Sequence, residues 1–303
     1  MATVLPVAIE SHVVNAPAPV PSATTAIEAE RAPTILVFDS GVGGLSVFRE
    51  VARVRPDARF VYAADDAAFP YGALSDDKLV ARVDHVMDRL IAQVAPDLVV
   101  IACNTASTLA LPALRARHSI PFVGTVPAIK PACIASRTRR VSVLATPGTV
   151  RRDYTAALVR EFAAGCDVAL VGSDRLAALA EAAMAGEAVD DAEIAAEIAP
   201  CFVSAGGRRT DTVVLACTHY PLIVDRLARL APWPVTFVDP APAIARRVTQ
   251  LIGAGVAPDV PEPVRLLSTL RPFETARIQP ILGRPMAAPE VLAPAGTPLA
   301  AAS

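Results

Sequence analysis

No stretch of this 303-residue chain approaches the roughly 20 uninterrupted apolar residues of a membrane span, so a soluble protein with no membrane partner is expected. Excess charge of one sign is missing too. The 28 Lys and Arg nearly balance the 30 Asp and Glu, leaving a net charge of -2 with no long basic stripe. That balance argues against nucleic acid as a partner and leaves a small molecule as the expected ligand. The five cysteines, Cys103, Cys133, Cys166, Cys201 and Cys217, are odd in number, contain no Cys-x-x-Cys pair and lack histidines at zinc spacing. A disulfide framework and a structural metal are both poor readings of such a set, and a reducing, cytoplasmic setting is expected.

Residues 1–33 have no basic start and no apolar core of a secretory signal; prolines at 6, 17, 19, 21 and 33 interrupt them. They read as a disordered N-terminal extension, and the Ala- and Pro-rich residues 287–303 read as a flexible tail. What lies between is long enough for one large domain or two ordinary ones.

From Thr34 onward, short apolar runs alternate with longer amphipathic ones. Thr34–Phe38, Phe60–Ala63, Asp97–Ala102 and Pro121–Val123 are strand-like, with helical spacing after residue 45, over 77–95 and after Cys103. The pattern restarts with strands at Val141–Ala145, Val168–Val171 and Asp211–Ala216, separated by helical stretches. Such alternation predicts right-handed βαβ units around mainly parallel sheets. The two halves share an outline. In each, a strand ending in a small polar loop (Asp39-Ser40-Gly41, Thr146-Pro147-Gly148) precedes a strand ending in Ala-Cys. Val235–Asp239 and the helix after Pro240 are expected to return and complete the first half's sheet.

Asp39-Ser40-Gly41-Val42-Gly43-Gly44 follows a strand and opens a helix. Its glycines allow backbone N–H groups to approach an anion, so a carboxylate cradle with Asp39 at its lip is one reading; a plain turn capped by Asp39 is the other. A dinucleotide fingerprint is excluded because its third glycine would fall at Ser46, and no Gly-Lys-Ser ending marks a nucleotide loop. Phe69-Pro70-Tyr71-Gly72 fixes a tight turn whose amide and phenol can face a ligand.

Free cysteines are commonly buried as small hydrophobes, which accounts for Cys133, Cys166 and Cys201. Cys103 and Cys217 stand apart: each ends a strand where α/β proteins bind ligands, just before a helix N-terminus expected to lower a thiol's pKa. Asp39 and His219 are on hand to exchange protons with them. A hydrolase needs one thiol and a histidine base, whereas two thiols in matched frames suit proton removal on one face of a carbon and return on the other. Stereoinversion of an amino acid also requires donors for its carboxylate and exclusion of water. Ser40, Asn104, Thr105, Thr146, Thr149 and Thr218 are the hydroxyl and amide side chains at these loops.

Asp-Ser-Gly-Val-Gly-Gly at 39–44, Pro-Tyr-Gly at 70–72, Ala-Cys-Asn-Thr-Ala-Ser at 102–107 and Cys-Thr-His-Tyr-Pro at 217–221 together resemble the cofactor-independent glutamate racemases, in order and at similar separations. The resemblance spans about Thr34 to Gly283. It implies two related α/β domains, residues 34–124 plus 236–286 and residues 125–235, in pseudo-twofold relation with the active site between them. It implies that Cys103 and Cys217 are the two catalytic acid/bases, assisted by Asp39 and His219 respectively. Asp39, Ser40, Tyr71, Gly72, Asn104, Thr105, Thr218 and His219 would line the substrate, glutamate. A second-domain acid near the ligand ammonium or the second cysteine matches Glu181 best, with Glu187 and Glu193 nearby. Also implied are the absence of metal and organic cofactor, a homodimer, and supply of D-glutamate for peptidoglycan. Two alternatives stay open: a racemase for aspartate or another α-substituted acid, and a non-catalytic carboxylate-binding protein.

Overall fold

A computed structural model describes residues 31–292. The proposed disordered stretch 1–33 and flexible tail 287–303 therefore lie for the most part outside the described residues. The chain first lays down β1 (Thr34–Asp39), α1 (Leu45–Val54), β2 (Arg59–Ala64), α2 (Asp76–Val94), β3 (Leu98–Ile101), α3 (Asn104–Leu109), α4 (Leu111–Arg117) and β4 (Phe122–Gly124). After α5 (Ile129–Ala135) come β5 (Arg140–Ala145), α6 (Pro147–Val150), α7 (Asp153–Phe162), β6 (Asp167–Gly172), α8 (Leu176–Met184) and α9 (Asp191–Ile198). A short antiparallel pair, β7 (Ser204–Ala205) and β8 (Arg208–Arg209), precedes β9 (Thr212–Ala216), α10 (Val224–Leu230) and β10 (Thr236–Val238). The chain closes with α11 (Ala241–Ile252), β11 (Arg265–Ser268), α12 (Thr275–Leu282) and β12 (Glu290–Val291).

These strands form two wholly parallel sheets, ordered β12-β11-β2-β1-β3-β4 and β6-β5-β9-β10. The core of the first, β2-β1-β3-β4, has the same strand order as the whole of the second. The duplication outlined by the sequence is thus a repeated topology, with β1 answering to β5 and β3 to β9. Both sheets are covered on both faces, which explains their continuous apolar runs. Along β1, Ile35 and Val37 join the core under α1, α11 and α12, while Leu36 and Phe38 join the one under α2 and α3. Second-sheet residues divide likewise between α8, α9 and α10 on one side and α5 and α7 on the other.

Two expected boundaries move. Residues 236–238 do not return to the first sheet: β10 pairs with β9 in register Phe237↔Val213, closing the second sheet. Only α11 crosses back, burying Ala241, Ile244, Ala245 and Val248 in the first domain's core. The parallel strand added beside β2 is instead the four-residue β11. Second, residues 287–292 are no loose tail, because β12 pairs with β11 and Leu292 is buried against the first sheet.

Candidate active site

Cys217 follows β9 directly and Cys103 follows β3 after Ala102, so each sits at the carboxyl end of a central strand, and the two ends face each other across the domain interface. The register gives each thiol an equivalent neighbour. Phe38 pairs with Ile101 and Ala145 with Ala216, which sets Ser40 beside Cys103 and Thr146 beside Cys217. One cavity between the domains is lined by both cysteines and by Ser40, Tyr71, Gly72, Asn104, Thr105, Thr146, Thr218 and His219. It has room for only about 20 Å³ of water-sized contents, about one water molecule.

The two thiols are served differently. Cys103 lies 3.8 Å from the Ser40 hydroxyl, which in turn donates to Asp39 Oδ1 at 3.4 Å, so Asp39 reaches the thiol through Ser40. Burial, and then the Asp39 charge, push the Cys103 thiol up to about 12. This reverses the lowering expected from a helix N-terminus: α3 has only six residues, and loss of water outweighs its dipole. Burial likewise raises the Asp39 carboxyl above its ordinary range, against the opposing pull of His219 and of hydrogen bonds from the Gly41 amide (2.9 Å) and Thr218 hydroxyl (3.0 Å).

Cys217 precedes no long helix; a single 3₁₀ turn, Tyr220–Ile223, intervenes before α10. Its sulfur is 3.7 Å from His219 Nδ1, and His219 Nε2 is 2.8 Å from Glu181 Oε1. Burial disfavours the charged ring, but the hydrogen bonds and charges of Cys217 and Glu181 prevail and hold His219 well above the usual imidazole range. For Glu181 burial is opposed by its bond to His219, and its carboxyl falls below the ordinary value. The result is a thiol–imidazole–carboxylate row. Phe69 packs on the imidazole with ring centroids 5.4 Å apart.

Glu181 stands behind His219 and not on the cavity wall, as do Asp39 behind Ser40 and Thr149 behind Thr105 and Thr146. The neighbouring acids are engaged elsewhere or exposed: Glu193 pairs with Arg175 on the surface, and Glu187 faces solvent. Thr105, Thr146 and Thr149 bring their hydroxyls within 3.2–3.3 Å of one another, a three-way contact across the domain interface.

The glycine loop does not present an open cradle. The Gly41 amide donates to Asp39, and the Val42 amide donates to Glu181 Oε1 at 3.0 Å. The carboxylate at this loop is the protein's own, supplied by the second domain. A Cβ on Gly43 would run into His219 and Thr218, so glycine here lets the two halves of the site touch. The Tyr71 phenol is also committed, donating to Asp65 Oδ2 at 2.6 Å; Tyr71 offers the cavity its ring and backbone. Asn104 differs from all of these. Both polar atoms of its buried amide lack a partner, although the side chain borders the cavity.

Phe69, Pro70 and Ala177 also line the cavity and were not singled out by sequence. Phe69 and Pro70 belong to the turn already noted before Tyr71. Ala177, on α8, carries no chemical signal. Among the described residues no helix is long and apolar enough to cross a membrane. Asp84, Asp88 and His118 offer ligand atoms close enough for a metal ion, but Arg117 pairs with both carboxylates.

A family profile for Asp/Glu/Hydantoin racemases matches residues 44–248. The chain is 56% identical over 239 residues to a glutamate racemase of Brucella anthropi, covering 78% of this chain and 85% of that one. To a glutamate racemase of Brucella ovis it is 59% identical over 221 residues, covering 73% and 80%. Among solved structures it resembles Escherichia coli glutamate racemase in complex with L-glutamate and the activator UDP-MurNAc-Ala. That match has a TM-score of 0.75 at 38% identity and covers 86% of this chain and 99% of that one. The RacE1 isoform of glutamate racemase from Bacillus anthracis gives a TM-score of 0.71 at 25% identity, covering 86% and 96%. With a profile spanning more than half its length, close relatives over most of it, and a repeated α/β topology around two facing thiols, the chain belongs to the Asp/Glu/Hydantoin racemase family.

Proposed function

We propose that this enzyme interconverts L- and D-glutamate by moving the α-proton between Cys103 and Cys217. The observation that carries the reading is the pair of buried thiols, one from each domain, on one water-poor cavity. A thiolate on one wall removes the α-proton, the transient carbanion stays planar, and the thiol on the other wall delivers a proton to the opposite face. Cys103, whose thiol is held in its protonated form by burial, suits the donor role in the state described here. His219, backed by Glu181, exchanges protons with Cys217; Asp39 assists Cys103 through the Ser40 hydroxyl. Asn104, whose amide has no partner among the described residues, with the Thr105 and Thr146 hydroxyls, supplies donors for the substrate's carboxylates, while the Ser40 and Thr218 hydroxyls donate to Asp39. A cavity with room for about one water strengthens these contacts as charge develops.

Glutamate as the substrate is supported by the relatives, and the wider role follows the resemblance: supply of D-glutamate for peptidoglycan, in the cytoplasm, by a homodimer. Sedimentation of the purified protein checks the dimer. The reaction itself is tested in heavy water. L-Glutamate should give D-glutamate carrying solvent deuterium at the α-carbon, whereas inversion with full retention of the original hydrogen, or inversion of aspartate but not glutamate, would overturn the proposal.

A further inference from the structure

Asp65 lies just beyond β2, fully buried, and takes no part in the proton transfers above. Its two oxygens accept four hydrogen bonds from three directions. Arg82 of α2 donates through Nε to Oδ2 (2.8 Å) and through Nη2 to Oδ1 (2.5 Å). The Tyr71 hydroxyl donates to Oδ2 at 2.6 Å, and the Thr269 hydroxyl, just past β11, donates to Oδ1 at 2.7 Å. Charge-assisted bonds of this kind are the stronger class, and the set leaves no freedom to the Tyr71 ring. These bonds outweigh the cost of burial and keep the Asp65 carboxyl below its ordinary range, so it remains a carboxylate and acceptor at neutral pH.

Tyr71 and Gly72 form one wall of the cavity, and the fit there is close. Tyr71 is 1% exposed and tilts against Phe38 at 6.5 Å between centroids. A Cβ on Gly72 would stand 3.0 Å from Cβ of Thr146 across the interface. The place of this wall is therefore set by whatever holds the Tyr71 hydroxyl.

We propose that Asp65 is a positioning residue for the substrate site: through the Tyr71 hydroxyl it fixes the Tyr71–Gly72 wall, and through Thr269 it ties that wall to the end of β11. The proposal rests on the racemase reading above. The wall carries no reacting proton, so its displacement weakens glutamate binding more than it slows proton transfer. A buried ion pair that merely anchors α2 would instead lower stability and leave binding alone.

The test is a double-mutant cycle on Asp65→Asn and Tyr71→Phe, reading kcat, KM for glutamate and Tm. Asp65→Asn is expected to raise KM at least tenfold with kcat within threefold, and Tyr71→Phe to raise KM at least threefold. The double variant should be no worse than Asp65→Asn alone, because both remove one link. Should Asp65→Asn not fold, Thr269→Val, which spares the Arg82 pair, is expected to raise KM two- to fivefold and to be non-additive with Tyr71→Phe. Multiplying effects, or a fall in Tm with KM unmoved, overturn the positioning role while leaving the racemase reading intact. A wild-type protein that fails to invert glutamate overturns both.

Discussion

At the scale of single residues, Asn104 separates binding from folding. A buried amide with no partner costs stability, so replacing it should not weaken the free protein. Asn104→Ala is expected to leave Tm unchanged or slightly raised while KM for glutamate rises by roughly tenfold to a hundredfold, about 1–3 kcal/mol of lost hydrogen bonding. A variant that unfolds readily yet binds normally would assign Asn104 to the core. The cysteines should respond in the opposite sense. Cys103→Ser and Cys217→Ser are each expected to reduce racemisation by at least a thousandfold with glutamate binding retained, since a hydroxyl is a far weaker acid than a thiol and its alkoxide is scarcely populated near neutral pH; near-normal rates in either would exclude a two-thiol transfer. Much of this site was legible in the sequence because its chemistry is concentrated at two strand ends. Less legible was the division between wall and support. Nothing in the spacing told that the Tyr71 hydroxyl turns to Asp65, that Val42 donates to Glu181, or that burial would push Cys103 upward, because each depends on what the other domain or a distant segment places nearby.

At the scale of elements, α8 and the β10–α11 crossover each carry a buried titratable contact. Glu181 on α8 holds the His219 ring well above its ordinary range. A histidine raised in this way contributes stability that is complete below its unfolded pKa of about 6.5 and is lost as pH rises through the folded value. Glu181→Gln should therefore lower the His219 pKa, shift the alkaline limb of the pH–rate profile to lower pH, and remove the part of stability lost with rising pH. An unshifted limb would detach Glu181 from His219. Asp239, between β10 and α11, behaves in the reverse sense: burial lifts its carboxyl to about 6, although it also accepts from the Ala241 amide. The folded state then holds a proton that the unfolded state releases near 3.9, so stability falls as pH rises from about 4 to 6. Asp239→Asn keeps the amide bond and should stabilise the protein by about 1 kcal/mol at pH 8, with the gain fading below pH 5; Tm measured across pH checks the sign. Strands and helices with strong periodicity are readable from sequence, but the three residues of β10 carry no signal of which sheet they join, and they pair with β9 where the sequence pattern suggests a return to the first sheet.

At the scale of the molecule, a duplicated fold has been made asymmetric. The strand order β2-β1-β3-β4 recurs as β6-β5-β9-β10, yet only the first sheet is extended, by β11 and β12, and only that extension brings Thr269 to Asp65. Two crossings of the chain, before β5 and at Pro240, join the domains, which also meet across the cavity. The contact is tight: Asp39 with Thr218, Glu181 with Val42, Thr105 with Thr146 and Thr149, and at the rim Arg152 with Asp76 at 2.6 Å. A space for about one water cannot admit an amino acid, so the domains must part for glutamate to reach the thiols. The rim pair is the one that parting can lose without touching the chemistry, because Asp76 is largely exposed and neither residue borders the cavity. Arg152 itself is buried, so the pair stands at or above the top of the range of about 0–1 kcal/mol that holds for exposed pairs. Asp76→Asn should accordingly favour opening and raise kcat/KM, by about fivefold, if access limits the reaction at low substrate, with the isotope effect on α-deuterated glutamate growing as access becomes less limiting. A fall in kcat/KM would show that the pair orders the bound state and does not restrain the free one.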